Sequence, residues 1–251
     1  MPKAGSTQTQ MDVRIDKDQP TTTRQAAIES LKIDSPPVTL RELALDRIRG
    51  AIVAGTFEPG TRLIERTLCD QLGVSRSVIR EVIRHLETEG LIEMAKQGPT
   101  VARLEWNDAR QIYDIRALLE SAAVADCASS ADSSTKSRLA GILDDLDRSA
   151  ARRDPPRMLH ATIEFYAVIF ASSGHEVAWE IVARLNSRIS RLRMMTLSTA
   201  NRTLSGPARL RQIFDSIDSN DPEAAAAACR QHIAEASRIA EKILTSDPVS
   251  R

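Results

Sequence analysis

The stretch from residue 75 to residue 90 constrains the fold more than any other, because its pattern fits one amphipathic helix. Its apolar residues repeat at the i, i+3, i+4, i+7 spacing of a buried helical stripe, at Ile79, Val82, Ile83 and Leu86. Ser75 belongs to the residue types that cap helix N-termini, and Gly90 is typical of a helix end. The sequence therefore predicts a helix with one face packed against a core.

The opposite face of this predicted helix carries an arginine at every fourth position, at Arg76, Arg80 and Arg84. At 100° per residue these side chains lie within roughly 80° of one another. A helix of this kind fits the major groove of DNA, where an arginine can bridge O6 and N7 of guanine. The alternative is a solvated arginine row that pairs with Glu81, Glu87 and Glu89. The charge pattern alone leaves both interpretations open.

Two other short helices precede this helix, and two strands follow it. The first helix runs from about Leu40 to a stop at Gly55, and the second spans about 64–71. The segments LIEMA and TVARL, on either side of residues 96–99, are typical of two strands joined by a turn. Three helices and a hairpin predict a winged helix-turn-helix domain over residues 39–104.

The rest of the chain shows helical periodicity, which turn and cap signals divide into six segments. The predicted helices span 107–127, 134–151, 156–173, 176–199, 207–219 and 222–245. The clearest start is Asp221-Pro222-Glu223, with a capping Asp, a Pro at the first position and an acid in the first turn. We expect residues 105–251 to form an antiparallel bundle with room for a ligand between helices. The predicted fold class is mainly α.

Composition and motifs exclude several other classes of protein. Residues 1–38 are polar and rich in turn formers, so we expect a flexible N-terminal arm. The apolar stretches fall well short of about 18 residues and no signal core is present, which predicts a soluble, cytoplasmic chain without membrane contact. The three cysteines form no CxxC pair and are expected to be small buried hydrophobes.

Charge and motif content also bear on function. The chain has 34 basic and 34 acidic residues, so any DNA binding must depend on the arrangement of its cations and not on their total. An enzyme with a helical catalytic domain is the competing hypothesis. The sequence contains no GxSxG motif, phosphate loop or HExxH motif, and we therefore expect that the protein is not an enzyme.

Residues 40–104 resemble the DNA-binding domain of GntR-type bacterial regulators, most clearly in the run LDRIRGAIVAGTFEPGTRLIERTLCDQLGVSRSVIREVIRHLETEGLI. The resemblance implies operator contacts by side chains of the second helix, the third helix and the wing, at Arg66, Ser75, Arg76, Ser77, Arg80, Gln97 and Gly98. These contacts would be made with double-stranded operator DNA.

Residues 105–245 resemble the FCD effector domain of FadR-type GntR regulators, through IYDIRALLESAAVADCA, FYAVIFASSGH and IFDSIDSNDPEAAAAACRQHI. Six bundle helices would correspond to the VanR-like branch. The resemblance implies a homodimeric repressor that binds an inverted-repeat operator and is released by a small organic acid. A metal-dependent sensor of the same family is the alternative.

Many FCD domains hold a divalent metal through one Asp and three His side chains. The resemblance places these ligand positions at Thr162, Tyr166, Leu210 and His232. Only His232 is a suitable ligand for such a metal, so we expect no metal cofactor. An alternative site would combine His160 and Glu164, which are one helical turn apart, with His232.

In a pocket without metal, the polar ends of Thr162, Tyr166 and His232 are expected to orient oxygen atoms of the effector. The alternatives are core packing of Tyr166 beside Phe165 and a capped core position for His232. Each interpretation requires that the polar end finds a partner in the interior.

Arginines supply the expected charge of the effector pocket. Arg116 matches a family arginine that often faces the pocket, and its forked guanidinium suits a carboxylate. The alternative for Arg116 is an intrahelical pair with Glu120, four residues on. On the fourth bundle helix we expect Arg191 to contribute to the pocket, with Arg188 as the alternative.

Overall fold

The structure is a computed structural model that describes residues 39–197 and 206–246. Its N-terminal part contains three helices and a hairpin: α1 (Leu40–Ala54), α2 (Glu65–Leu72), α3 (Arg76–Thr88), β1 (Ile92–Ala95) and β2 (Gly98–Val101). This is the predicted winged helix-turn-helix, here called the reading domain. The predicted N-terminal arm, 1–38, lies outside the described residues.

The apolar stripe of α3 forms the centre of the reading domain, as the sequence predicts. Ile79, Val82 and Leu86 are fully buried. They pack with Ile48 and Ile52 of α1 in one hydrophobic cluster. Because this stripe is fixed in the core, the arginine face of α3 must point away from it.

The N-terminus of α3 is capped as expected. The Oγ atom of Ser75 accepts a hydrogen bond from the backbone N–H of Val78 at 3.4 Å. Ser75 has an extended backbone, with φ −71° and ψ 159°, which suits a residue that precedes a helix. The cap therefore determines where α3 begins and how its first turn is presented.

The boundaries of the second wing strand were predicted wrongly. The strand spans Gly98–Val101 and not Thr100–Leu104, and it pairs antiparallel with β1 so that Ala95 lies opposite Gly98. Its other edge is held by the segment 60–63: the N–H of Leu63 donates to the carbonyl of Pro99 at 2.8 Å. This contact is distant in sequence, so the local pattern around the turn did not reveal it.

Seven helices follow in the described part of the chain: α4 (Trp106–Ser130), α5 (Ser133–Ala151), α6 (Pro155–Ser172), α7 (Glu176–Arg188), α8 (Ser190–Leu197), α9 (Gly206–Asp218) and α10 (Pro222–Ser246). They form a helical bundle in which α10 packs along α4, and α6 packs on α4 and α5. The predicted cap at Asp221 is present, since its Oδ1 accepts from the N–H of Ala224 at 2.9 Å.

The prediction of one helix over 176–199 is wrong, because the chain bends at Ile189 between α7 and α8. Backbone hydrogen bonds continue across the bend, including one from the N–H of Arg193 to the carbonyl of Ile189 at 2.8 Å. The hydroxyl of Ser190 donates to the carbonyl of Ser187 at 2.8 Å and competes with the regular ladder. Residues 198 and 199 lie outside the described ranges.

The bundle core is largely aliphatic. Phe165, Phe170 and Ile169 of α6 are fully buried within one large cluster. Cys127 and Cys229 are buried in the same core, whereas Cys69 of the reading domain is only half-buried, so the expectation for Cys69 was too simple. In the ranges described, none of the helices combines the length and apolar character that a membrane crossing requires.

Candidate functional site

Three arginines form the exposed face of α3. Arg76, Arg80 and Arg84 are all exposed, on the side away from the buried stripe. Arg80 is held by Glu65, the first residue of α2, with Nε 3.1 Å from Oε2. Within the described ranges, neither Arg76 nor Arg84 has a carboxylate within 4.0 Å.

The acidic residues of α3 largely turn toward α1 and away from this arginine row. Glu81 pairs with Arg41 at 3.4 Å, and Glu89 pairs with Arg49 at 2.6 Å. These pairs contradict the alternative in which the acids of α3 neutralise its own arginines. The cationic face therefore keeps most of its charge for an external partner.

A shallow groove of about 350 Å³ adjoins this face, between the start of α2, the start of α3 and the wing. Three arginines line it: Arg62, Arg66 and Arg76. Arg62 was missed by the sequence reasoning. Its backbone pairs antiparallel with that of Thr100 in β2. The alternation of exposed Arg62 with buried Leu63 was the sequence signal that could have indicated an outward-facing arginine beside the wing.

The remaining predicted contact residues lie around the same groove. Ser75 and Ser77 are exposed at the N-terminus of α3, with their Oγ atoms 2.8 Å apart. Gln97 and Gly98 lie at the tip of the wing, where Gly98 has φ +110°, a conformation that L side chains rarely adopt. Arg66 has a side chain that is 82% exposed and lies 4.0 Å from Asp70.

A second candidate site is a set of polar and charged side chains buried in the bundle. Its members are all buried and include Arg116, Glu120, Thr162, Asn186, Arg193, Arg209, His232 and Glu235. Buried charges are costly unless they are paired or bind a ligand. The pairing of each charge is therefore informative.

Arg116 pairs with Glu120, which is the intrahelical alternative. Its Nε lies 2.7 Å from Oε1 and its Nη2 lies 3.2 Å from Oε2, so both oxygens of the carboxylate are engaged. The guanidinium also lies over the ring of Tyr113, 5.5 Å from the centroid. Burial alone would lower the pKa of Arg116, but the charge and hydrogen bonds of Glu120 raise it above its ordinary value.

Thr162, Tyr166 and His232 are buried in the bundle. The hydroxyl of Thr162 donates to the carbonyl of Met158 at 2.8 Å. The Oη of Tyr166 lies 3.8 Å from Sγ of Cys229, and burial raises the pKa of this phenol well above its ordinary value. These contacts do not test whether the three residues orient a ligand, and that role stays a prediction.

The family metal positions do not suit a divalent ion. The phenol of Tyr166 stays protonated, the hydroxyl of Thr162 is neutral, and Leu210 offers no ligand atom. In the alternative set, His160 is exposed and Glu164 pairs with Arg138 at 3.8 Å, while His232 is buried. Among residues 39–197 and 206–246, no three His, Cys, Asp or Glu side chains are grouped to hold a metal.

Arg191 is only partly buried as a whole, although its Nη1 atom is buried and has no hydrogen-bond partner among the described residues. Its guanidinium lies against Gly55, where a Cβ atom would be 3.3 Å from Nη2. Arg188, the alternative, packs against Gly90 and lies 3.6 Å from Asp108. Arg193 is the arginine of α8 that is buried in the bundle. Residues two apart on a helix point about 200° apart, so Arg191 and Arg193 face different sides of α8.

Arg193 is only 5% exposed, and its Nη1 atom is buried with no hydrogen-bond partner in the described part of the chain. Burial, followed by the charge of Arg116, lowers its pKa to about 10, so it remains charged at neutral pH. The sequence signal for Arg193 was its spacing of two residues from Arg191. Only the packing of α8 shows which of the two arginines is buried.

An exposed cationic helix in a winged helix-turn-helix, followed by a helical bundle with buried charges, defines a DNA-binding transcriptional regulator with a separate C-terminal domain. The family model "Bacterial regulatory proteins, gntR family" matches residues 40–101, and the FCD domain model matches residues 111–235. The chain belongs to the GntR family, in the FadR-like group with an FCD domain. This is a family of transcriptional regulators and not of enzymes.

Several known proteins are similar over most of the chain. The uncharacterised HTH-type transcriptional regulator YdhC of Bacillus subtilis is 26% identical, over 82% of this chain and 91% of its own. The HTH-type transcriptional repressor RspR of Escherichia coli is 26% identical, over 78% and 86%. The crystal structure of a GntR transcriptional regulator from Rhodococcus sp. RHA1 has a TM-score of 0.67 at 25% identity, over 80% and 97%.

Proposed function

We propose that this regulator is a homodimeric repressor that binds an inverted-repeat operator and leaves it when a small carboxylate binds in the bundle. A relative of similar length, RspR, is named as a repressor. Two reading domains related by two-fold symmetry would place one α3 helix in each of two successive major grooves. The direction of control and the dimer are parts of this proposal.

The exposed arginines support the DNA-binding half of the proposal. Arg76 and Arg80 would contact bases or phosphates from α3, and Arg66 would contact phosphate from α2. Ser75 and Ser77 lie at the N-terminus of α3, where free N–H groups and the helix dipole attract a phosphate. Gln97 and Gly98 would follow the DNA backbone from the wing.

The observation that carries the ligand-responsive half is the position of α8. This short helix packs on α1 of the reading domain and on α6 and α10 of the bundle. Arg191 contacts Gly55 from one side of α8, and Arg193 enters the buried charged set from the other. A ligand that shifts α8 would therefore change the packing of α8 against α1. This requires that the ligand binds the shifted and unshifted positions of α8 with different affinity.

The effector contacts are a further part of the proposal. Thr162, Tyr166 and His232 would orient the oxygen atoms of the effector, and no metal would be needed. Arg116 would not contact the effector directly. Its pair with Glu120 would instead hold the adjoining wall of the pocket in place. Arg191 has a different role here, as the contact with the reading domain.

A gel shift of the full chain on DNA from upstream of its own gene tests the DNA-binding half. We expect a specific complex at about 0.15 M salt that survives unlabelled competitor of scrambled sequence. Light scattering of the same complex should give two protein chains per operator. Folded protein that forms no specific complex under these conditions would contradict the proposal.

A further inference from the structure

We propose that Arg193 and Asn186 anchor the effector: Arg193 receives the carboxylate of a monoanionic acid, and Asn186 hydrogen-bonds a hydroxyl or keto oxygen of the same molecule. This inference rests on the proposed function, because it names the ligand class and the residues of its effector site. It also moves the anion contact away from Arg116, the residue that the sequence indicates.

Arg116 is unsuited to the role because its guanidinium is already engaged. Glu120 accepts from both Nε and Nη2, at 2.7 and 3.2 Å, and the pair is almost completely buried. An incoming carboxylate would have to displace Glu120 and leave that charge unpaired in the interior, which is costly. The bidentate pair is therefore part of the wall of the site.

Among the residues that the structure describes, the buried charges leave one cation without a counterion. The buried arginines and glutamates of the described bundle are Arg116, Arg193, Arg209, Glu120 and Glu235. Arg209 is paired with Glu235 at 2.8 Å, as Arg116 is with Glu120, whereas Arg193 lies within 4.0 Å of no carboxylate among the residues described. One positive charge remains, and a ligand with a single negative charge would balance it.

The environment of Arg193 also favours an anion over water. Its Nη1 is buried without a hydrogen-bond partner among the described residues, and the charge of nearby Arg116 acts against its own more strongly than the charge of Glu120 supports it. A water molecule can accept the N–H bond, but it brings no charge to offset that repulsion. A carboxylate can accept the N–H bond and also offset the repulsion with its negative charge, and its two oxygens match the planar fork of a guanidinium.

Asn186 supplies a second, independent indication of a ligand. Its side chain is 4% exposed, and both Oδ1 and Nδ2 are buried without hydrogen-bond partners in residues 39–197 and 206–246. It lies near the end of α7, and Arg193 lies in α8 just beyond the bend at Ile189, and both side chains are buried in the bundle. The helix α7 packs on α4 and α6, and α8 also packs on α6. Asn186 offers one donor group and one acceptor, which suits a hydroxyl or keto oxygen.

The test uses the full chain and its Arg193→Met variant, with Arg184→Met as the matched control. Arg184 is an exposed arginine of α7. The probes are lactate, pyruvate, benzoate and hexanoate, each beside its uncharged amide, and the dianion succinate. The measurements are the Tm of each protein with and without probe, and the probe concentration that releases operator DNA.

Without any probe, Arg193→Met should melt at or above the wild-type Tm, because it removes an uncompensated buried charge. A monoanion should raise the Tm of wild type and of Arg184→Met. Lactate and pyruvate should raise it more than benzoate and hexanoate, which have no hydroxyl or keto oxygen. The amides and succinate should change the Tm only weakly. In Arg193→Met the shift should be lost and operator release should require at least about tenfold more acid. Asn186→Leu should lose the preference for lactate and pyruvate.

Three results would overturn the inference. Arg193→Met could melt several degrees below wild type without probe, wild type and variant could respond equally to the acids, or no acid could shift wild type. In each case, continued operator binding by wild type would leave the DNA-binding half of the proposed function standing. A failure of operator binding in wild type would instead count against the proposed function itself.

Discussion

Arg191 of α8 lies against Gly55 at the end of α1, so that a Cβ atom at Gly55 would be 3.3 Å from Nη2 of Arg191. Gly55 has φ +81°, a conformation that favours glycine. A side chain at Gly55 would therefore be in tight contact with the guanidinium, which would have to shift slightly. This contact ties the last turn of the first reading-domain helix to a helix of the bundle.

Gly55→Ala should destabilise the protein by about 1 kcal/mol or more, because alanine is strained at positive φ and would press on Arg191. It should also weaken the effect of an effector on operator binding, since the contact between α1 and α8 changes. Urea unfolding and effector-dependent gel shifts measure the two effects.

Gly141→Ala is the matched control for this prediction. Gly141 lies inside α5, and nothing lies within 4 Å of a Cβ placed there. The substitution should stabilise the protein by roughly 0.5–1 kcal/mol, because alanine is the better helix former. A Gly55→Ala protein as stable as wild type, or more stable, would contradict the close contact and the strain expected at Gly55.

Arg76→Ala should weaken operator binding at least about tenfold, because Arg76 lines the groove and has no carboxylate within 4.0 Å among the described side chains. If the lost contact is to phosphate, the slope of log K against log salt should fall by about 1. Fluorescence anisotropy at several salt concentrations gives both quantities. Arg184→Ala, on an exposed bundle arginine, should leave them unchanged; equal losses in the two variants would count against α3 as the DNA-contacting helix.

Glu65→Gln should strengthen DNA binding a few-fold, because it releases Arg80 from its 3.1 Å ion pair and removes a negative charge from the groove. The gain should be larger at low salt, where unscreened charges act further. Glu241→Gln removes an equal charge from the exposed face of α10 and serves as control. Weaker binding by Glu65→Gln would indicate that Glu65 is needed to orient Arg80.

Glu120→Gln should destabilise the fold by about 3–5 kcal/mol, because it leaves Arg116 without its partner beside a second buried cation, Arg193. The double variant Arg116→Met/Glu120→Gln removes both members of the pair and should recover much of this loss. Denaturant unfolding of the three proteins decides the matter. A double variant less stable than Glu120→Gln alone would contradict an account based on charge pairing.

The sequence was sufficient for the features that depend on local periodicity. The stripe from Ile79 to Leu86, the cap at Ser75 and the start of α10 at Asp221 were predicted and are present. Each follows from helix geometry and from residues within four positions of one another.

Features that depend on distant partners were missed. The position of β2 depends on the hydrogen bond from Leu63 to Pro99, and the pairing of Arg80 depends on Glu65. The choice between Arg191 and Arg193 depends on how α8 docks after the bend at Ile189. Helical spacing predicts that the two arginines face opposite ways, but it does not tell which one faces the interior.

The central claim is that ligand binding in the bundle reduces the affinity of the reading domain for DNA. The most direct measurement is the Kd of the full chain for its operator at about 0.15 M salt, with and without the acid that gives the largest Tm shift. We predict an operator Kd that is at least about tenfold higher with saturating acid, as a coupling free energy of this kind requires. An operator Kd that is the same with and without a bound acid would contradict the account.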